Sequence, residues 1–297
     1  MMCRDYIIAD NRIRISGPVA DIAAAGVGSF SVFATEYAPE ENPIVEIETG
    51  CEISVAEMES ERLTEFNFDE GQALCTFGRT ATHYTFRIEN EHCTPLYIIY
   101  DRQTDRVRCN AGANGACNPS FLRFGLWFAV GIAASKHQTA AIHTSVIVAN
   151  NAAVMFLGES GTGKSTHTRL WRENIEGAAL LNDDSPFLRI KNGRPMVYGS
   201  PWSGKTPCYK NEHYPLRAIV RLSQAPHNTI RRLRTMQAIG ALLPSMPPAF
   251  AFDKELEERM FEILSATIAN VAIYHLECLP NAEAAQLSYN TVFEICK

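Results

Sequence analysis

The chain has 297 residues, 46% of them hydrophobic, and a formal charge of −6. That is enough apolar material for one large core or two modest ones, which excludes a mostly disordered chain. The acidic balance gives no bulk attraction to nucleic acid or to an anionic membrane, so neither is expected as a partner. The opening Met1-Met2-Cys3-Arg4-Asp5-Tyr6 lacks the apolar core of a signal peptide. The most apolar stretch, Phe121 to Ala134, contains Arg123 and is too short to span a bilayer, so a cytoplasmic protein is expected. Nine cysteines are scattered without a Cys-x-x-Cys pair, which predicts reduced thiols; Cys109 and Cys117 flank a glycine-rich segment read as a plain loop.

In chain order, Tyr6–Ala9, Arg12–Ile15, His83–Ile88 and Leu96–Tyr100 read as strands, so residues 1–115 are expected to form a β-rich N-terminal domain for recognition or scaffolding. The acids between Glu36 and Glu70 read as solvated surface. Small, turn-prone residues gather at Asn110–Gly115, which marks a joint, with a second domain over 116–297. Pro119 opens a mostly buried helix that ends near Lys136-His137. His143–Ala149 and Ala153–Leu157 are strands separated by Asn150-Asn151, a hairpin turn signal. A hairpin here predicts a mixed sheet, because a purely parallel arrangement would reach its neighbours through helical crossovers.

The second hairpin arm runs directly into Gly158-Glu159-Ser160-Gly161-Thr162-Gly163-Lys164-Ser165, with helix-compatible residues from Thr166 to Glu173 behind it. Backbone wrapped around a polyphosphate must turn its N–H groups inward, which glycine permits at little steric cost. Residues Gly158 to Thr166 are therefore expected to cradle nucleotide phosphate. Lys164 would reach the outer phosphates, Ser165 would bind magnesium, and the following helix would point its positive end at the same anions. Next, Ala178–Leu181 reads as a short strand leading into Asn182-Asp183-Asp184. Two carboxylates at a strand end beside phosphates suit a nucleotide-borne magnesium, which takes only one or two of them and leaves the other free as a base. The bland alternative is an Asx-type turn capped by its own side chain.

Downstream, Gly199–Thr206 carries Lys205 among small residues, in a segment suited either to close over a ligand or to serve as plain surface. Arg231, Arg232 and Arg234 lie on an alternating segment read as a strand over Thr229–Arg234. One of these, or Arg221, is a candidate for the transition-state cation that the site otherwise lacks. A helix over Asp253–Ala269, a strand over Val271–Glu277 and a helix from Ala282 complete the chain.

The loop Gly158–Ser165, the preceding hairpin and the Asp183-Asp184 pair together resemble the catalytic domain of the HPr serine kinase/phosphorylases, whose fold group includes the phosphoenolpyruvate carboxykinases. The resemblance covers roughly residues 119–296. It implies an α/β fold with a mixed sheet, a phosphate-binding loop, and homo-oligomer formation. It also implies ATP- and magnesium-dependent transfer of the γ-phosphoryl group to a hydroxyl. In site residues it implies Lys164 on phosphate, Ser165 and Asp184 on magnesium, Asp183 as general base and His143 near the transferred group. The downstream signature of true HPr kinases is absent, which turns the expectation from HPr toward serine, free or in a protein or peptide. A non-catalytic ATP-binding regulator and a carboxykinase-like enzyme are the alternatives. The chain is short for the latter, and its additional metal ligands and substrate arginines find no match. A GTP-driven switch ranks last, since no Asn-Lys-x-Asp guanine reader occurs.

Overall fold

A computed structural model describes residues 2–36, 42–115, 117–204 and 206–294. The chain divides into two compact units, Met1–His137 with Ala249–Leu256, and Gln138–Pro248 with Glu257–Lys297. Each carries a nine-stranded mixed sheet, so the fold class is mixed α/β.

In the first unit, β1 (Cys3–Ile8) and β2 (Asn11–Ser16) pair antiparallel through Ala9 and Asp10, both at positive φ as a tight hairpin turn requires. The sheet continues with β3 (Ala34–Thr35), β4 (Val45–Thr49), β5 (Glu61–Phe68), β6 (Ala73–Arg79), β7 (His83–Glu89), β8 (Leu96–Asp101) and β9 (Arg106–Cys109). Its spatial order is β3-β1-β2-β4-β9-β8-β7-β6-β5, and β4 is parallel to both its neighbours. Helix α1 (Pro119–Ser135) begins where Asn118 accepts from the N–H groups of Ser120 and Phe121. It covers β7 and β8, stacking Phe128 on Phe86 at 4.0 Å and edge-on against Phe77. The sequence placed the joint at residues 115 and 116, ahead of this helix. The division instead falls after it, because the aromatic face of α1 is what buries the rings of β6 and β7. Ala116, the first residue of that expected second domain, lies outside the described residues.

The second unit contains β10 (Thr139–Ala141), β11 (Thr144–Ala149), β12 (Ala152–Leu157), β13 (Ala179–Asp184), β14 (Phe187–Lys191), β15 (Arg194–Tyr198), β16 (His213–Gln224), β17 (Thr229–Arg232) and β18 (Ala272–Cys278). Its helices are α2 (Lys164–Asn174), α3 (Thr235–Leu242), α5 (Ala282–Val292) and, from Glu257 on, α4 (Lys254–Asn270). The main path runs β10-β14-β15-β16-β12-β11-β13, with β18 on β16 and β17 on β18. β11 and β12 form the expected hairpin, turned by Asn150 and Asn151 at positive φ. β12 lies between antiparallel β11 and parallel β16, so the sheet is mixed as the hairpin predicted. One face is sealed by α2 and α5, which bury Trp171 and Leu170 against Phe156, Val220, Leu222 and Leu276. Inside that core Trp171 Nε1 donates to His167 Nε2 and to Ser288 Oγ, and burial pushes His167 down to about 4. Among the described residues no helix is long and apolar enough to cross a membrane.

Candidate active site

The topology gathers one edge of the second sheet. β11 is antiparallel to both β12 and β13, so the end of β12, the end of β13 and the start of β11 lie side by side. Residues after Leu157, residues Asp183 and Asp184, and residues around His143 thereby become neighbours, although a long stretch of chain separates the last two.

Leaving β12, the chain turns through Gly161 (φ 81°) and Gly163 (φ 101°) and enters α2 at Lys164. At Gly163 a side chain would be strained, and no side chain caps the helix there, so the first-turn N–H groups face outward at the positive end of α2. The Lys164 ammonium is held by the carbonyl oxygens of Gly158 at 2.7 Å and Glu159 at 3.2 Å. Burial lowers its pKa, and the charges of Asp184 and Asp183 act in the opposite direction. Both acids are therefore close enough to act on this ammonium.

Ser165 Oγ sits 3.2 Å from each carboxylate oxygen of Asp183. Behind it, Thr168 Oγ1 donates to the Ser165 carbonyl and accepts from Ser145 Oγ, which ties the first turn of α2 to β11. Asp183 is 5% exposed, beneath Ser165. Asp184 is open, its side chain 39% exposed, and its Oδ1 lies 3.3 Å from Nδ1 of His143, itself half-exposed. His143 stands just ahead of β11, fixed by its backbone N–H on the Ser245 carbonyl at 2.8 Å. The cluster thus forms two pairs, Ser165 with Asp183 and His143 with Asp184. The resemblance instead put Asp184 with Ser165.

The backbone at Asp184 has φ 144°, a region L-residues rarely adopt, and such strain of roughly 1–3 kcal/mol persists only where surroundings over-determine it. The Gly199–Thr206 segment does so. Ser203 forms a β-bridge with Asp184 and donates its hydroxyl to the Asp183 carbonyl, and Gly204 N–H donates to the same carbonyl. A side chain at Gly204 would crowd Asp183 and Asp184. Asn182 accepts from Ser185 N–H, so the bland capped turn does exist. It also donates to Trp202 O, which ties the strand end to the Gly199–Thr206 segment. Lys205, the lysine of this segment, lies outside the described residues.

Sequence reasoning missed the bracing hydroxyls of Ser145, Thr168 and Ser203, and a cleft of about 630 Å³ beside the loop. The cleft is bounded by Gly161, Gly163, Thr166 and Leu170 on one side and by Leu222, Gln224, Leu279 and Pro280 on the other. Leu279-Pro280 follow β18, over a hundred positions downstream, and only the parallel pairing of β18 with β16 brings them here. Of the candidate arginines, Arg232 and Arg234 are exposed, and Arg234 is the N-cap of α3 rather than a strand residue. Arg221, half-buried on β16, is the cross-strand partner of Leu157, whereas Arg231 is exposed on β17, with β18 between the two strands.

No protein-family model matches this chain, and no curated protein matches it. Among solved structures, the HPr(Ser) kinase/phosphatase from Coxiella burnetii is similar over 52% of this chain and 97% of its own. The identity is 11% and the TM-score 0.31.

Proposed function

We propose that the second unit is an ATP- and magnesium-dependent phosphotransferase of the HPr serine kinase/phosphorylase type that moves the γ-phosphoryl group to a hydroxyl. The observation that carries this reading is the convergence of Lys164, Ser165, Asp183, Asp184 and His143 at one sheet edge, next to an open helix N-terminus. Loop amides and Lys164 bind the β- and γ-oxygens, and the adjacent cleft receives the nucleoside. Phosphoryl transfer asks chiefly for such positioning and charge neutralisation.

The donors Ser165 Oγ and the Asp183 carboxylate are hard oxygens facing one another, which fits magnesium. Among the described residues no group of three or more His, Cys, Asp or Glu forms a metal cage, in keeping with an ion that arrives on the nucleotide. Ser165 and Asp183 would hold that ion, and when bound it supplies neutralisation of phosphate charge. Exposure then divides the acids. Asp183 is shut in under Ser165 and cannot meet an incoming hydroxyl, whereas Asp184 can. Asp184 accepts the hydroxyl proton, and His143 orients its carboxylate through the 3.3 Å contact. This exchanges the two roles that the resemblance implies.

The acceptor is a serine hydroxyl, free or in a peptide. Incubating the protein with magnesium, γ-labelled ATP and serine-bearing acceptors tests the reading. Asp184→Asn should keep ATP binding and lose transfer, while Asp183→Asn should raise the magnesium concentration needed. Full activity in Asp184→Asn would remove the assigned base, and ATP binding without any transfer would leave a nucleotide-binding regulator.

A further inference from the structure

Across four strands of the second sheet, one row of cross-strand partners runs Leu157, Arg221, His275, Arg231. It starts at the last residue before the phosphate loop. The alternate residues Val220, Leu222, Leu276 and Ile230 belong to the core beneath α2 and α5, so the row faces the other side of the sheet. Neighbouring strands are about 4.8 Å apart, which puts the backbone of Arg221 about 5 Å and that of His275 about 10 Å from the loop strand.

The row is hydrogen-bonded in a way that fixes its charge. Arg231 Nη2 lies 3.3 Å from Nδ1 of His275, and a guanidinium can only donate, so Nδ1 is an acceptor. The ring proton is therefore on Nε2, which donates to Ser223 Oγ at 2.8 Å. Burial first, then Arg231 and Arg221, hold His275 below the usual histidine range, against the opposing charge of Glu277. Arg221 is anchored on the Gly240 carbonyl at 3.2 Å. Among the described residues neither Arg221 nor Arg231 makes a salt bridge with a carboxylate. Two guanidinium groups thus flank a neutral imidazole in one row, held by main-chain and ring acceptors, with the Glu277 carboxylate near the ring but in a salt bridge with neither arginine.

We propose that the guanidinium groups of Arg221 and Arg231, on either side of the neutral His275 ring, form an oxyanion site separate from the phosphate loop, which takes a carboxylate or phosphate group. This rests on the kinase reading only for the source of the anion, the acid group of the hydroxyl acceptor. A free hydroxy-acid such as serine with its own carboxylate meets that description, whereas a serine inside a peptide does not. Free inorganic phosphate is the other source of the same chemistry.

Histidine-ring NMR on the full chain, with the His275 signals assigned through His275→Gln, reads the site directly. Inorganic phosphate should move the His275 signals in the wild type and equally in Lys164→Ala, and the half-saturating concentration should rise at least tenfold in Arg231→Gln and in Arg221→Gln. A His275 ring indifferent to phosphate, or a response that vanishes in Lys164→Ala, overturns the proposal while leaving ATP binding at the loop untouched. Failure of ATP to bind would sink the kinase reading and leave the phosphate titration readable. Comparing free serine with serinamide as acceptors then separates the sources. A preference of tenfold or more for serine that is lost in Arg221→Gln assigns the site to the acceptor, and equal rates alongside phosphate binding assign it to the free anion.

Discussion

The two units handle their cations differently. In the first, arginines meet carboxylates: Arg12 and Arg14 on Asp5, Arg108 on Glu57, Arg79 on Asp253 and Arg102 on Glu255. At the loop end of the second, Lys164 rests on two carbonyls, Arg221 on another, and Arg231 on an imidazole. A carbonyl or a neutral ring fixes the direction of a cation without cancelling its charge, so the charge stays available to a phosphate. Cations of the first unit are neutralised within the fold, whereas those at the loop end of the second keep their charge uncancelled by a salt bridge.

The strongest way to break that contrast is at the acids and lysine of the second unit. Asp184→Asn should lower the phosphoryl-transfer rate by roughly 10²–10⁴, the range for losing a general base. Lys164→Ala should weaken ATP binding by roughly 10–100-fold, since hydrogen bonds to charged groups contribute about 1.5–3 kcal/mol. Neither change should lower the melting temperature, because a half-buried ammonium without a carboxylate contact is no structural asset. A melting temperature that drops by several degrees in Lys164→Ala would place this lysine among the structural cations.

The opposite result is expected at Asp253, whose side chain is fully buried and accepts from Arg79, Tyr84 and the N–H groups of Glu255 and Leu256. Its presence pushes the Tyr84 hydroxyl pKa up together with burial. Asp253→Ala strands the Arg79 charge and should destabilise the protein by roughly 3–5 kcal/mol in urea unfolding, with ATP affinity unchanged in the folded protein.

A third test concerns His167, a buried histidine on the loop helix itself. His167 is neutral in the folded state with its pKa at about 4, against 6.5 for a free side chain. Between these values the unfolded chain binds more protons than the folded one, so stability is complete above pH 6.5 and falls as the pH drops toward 4. The loss amounts to roughly 3 kcal/mol. Urea midpoints at pH 7 and pH 4.5 should show it, and the pH-dependent part should shrink in His167→Gln. The smallest effect belongs to a pair that resembles those of the first unit but is solvated. Arg169 and Glu173 meet at one helical turn on the exposed side of α2, and Glu173→Ala should cost about 0.5 kcal/mol or less.

What the sequence determined by itself was local. Gly161 and Gly163 had to take positive φ, Asn150-Asn151 had to turn a hairpin, and strand, glycine loop and helix had to follow in that order. Strand β17, helix α4, strand β18 and helix α5 also followed, because period and turn chemistry act over a few residues, whereas β16 and α3 were not foreseen. Tertiary structure decided the rest. Only strand order told that Asp183 faces Ser165 while Asp184 faces His143, since two adjacent residues on one strand point to different neighbours. Only pairing of β16 with β18 brought Leu279-Pro280 to the cleft and placed Arg221, His275 and Arg231 in a row. The burial of α1 against the first sheet was likewise invisible, because an apolar helix states that it will be covered without stating by what.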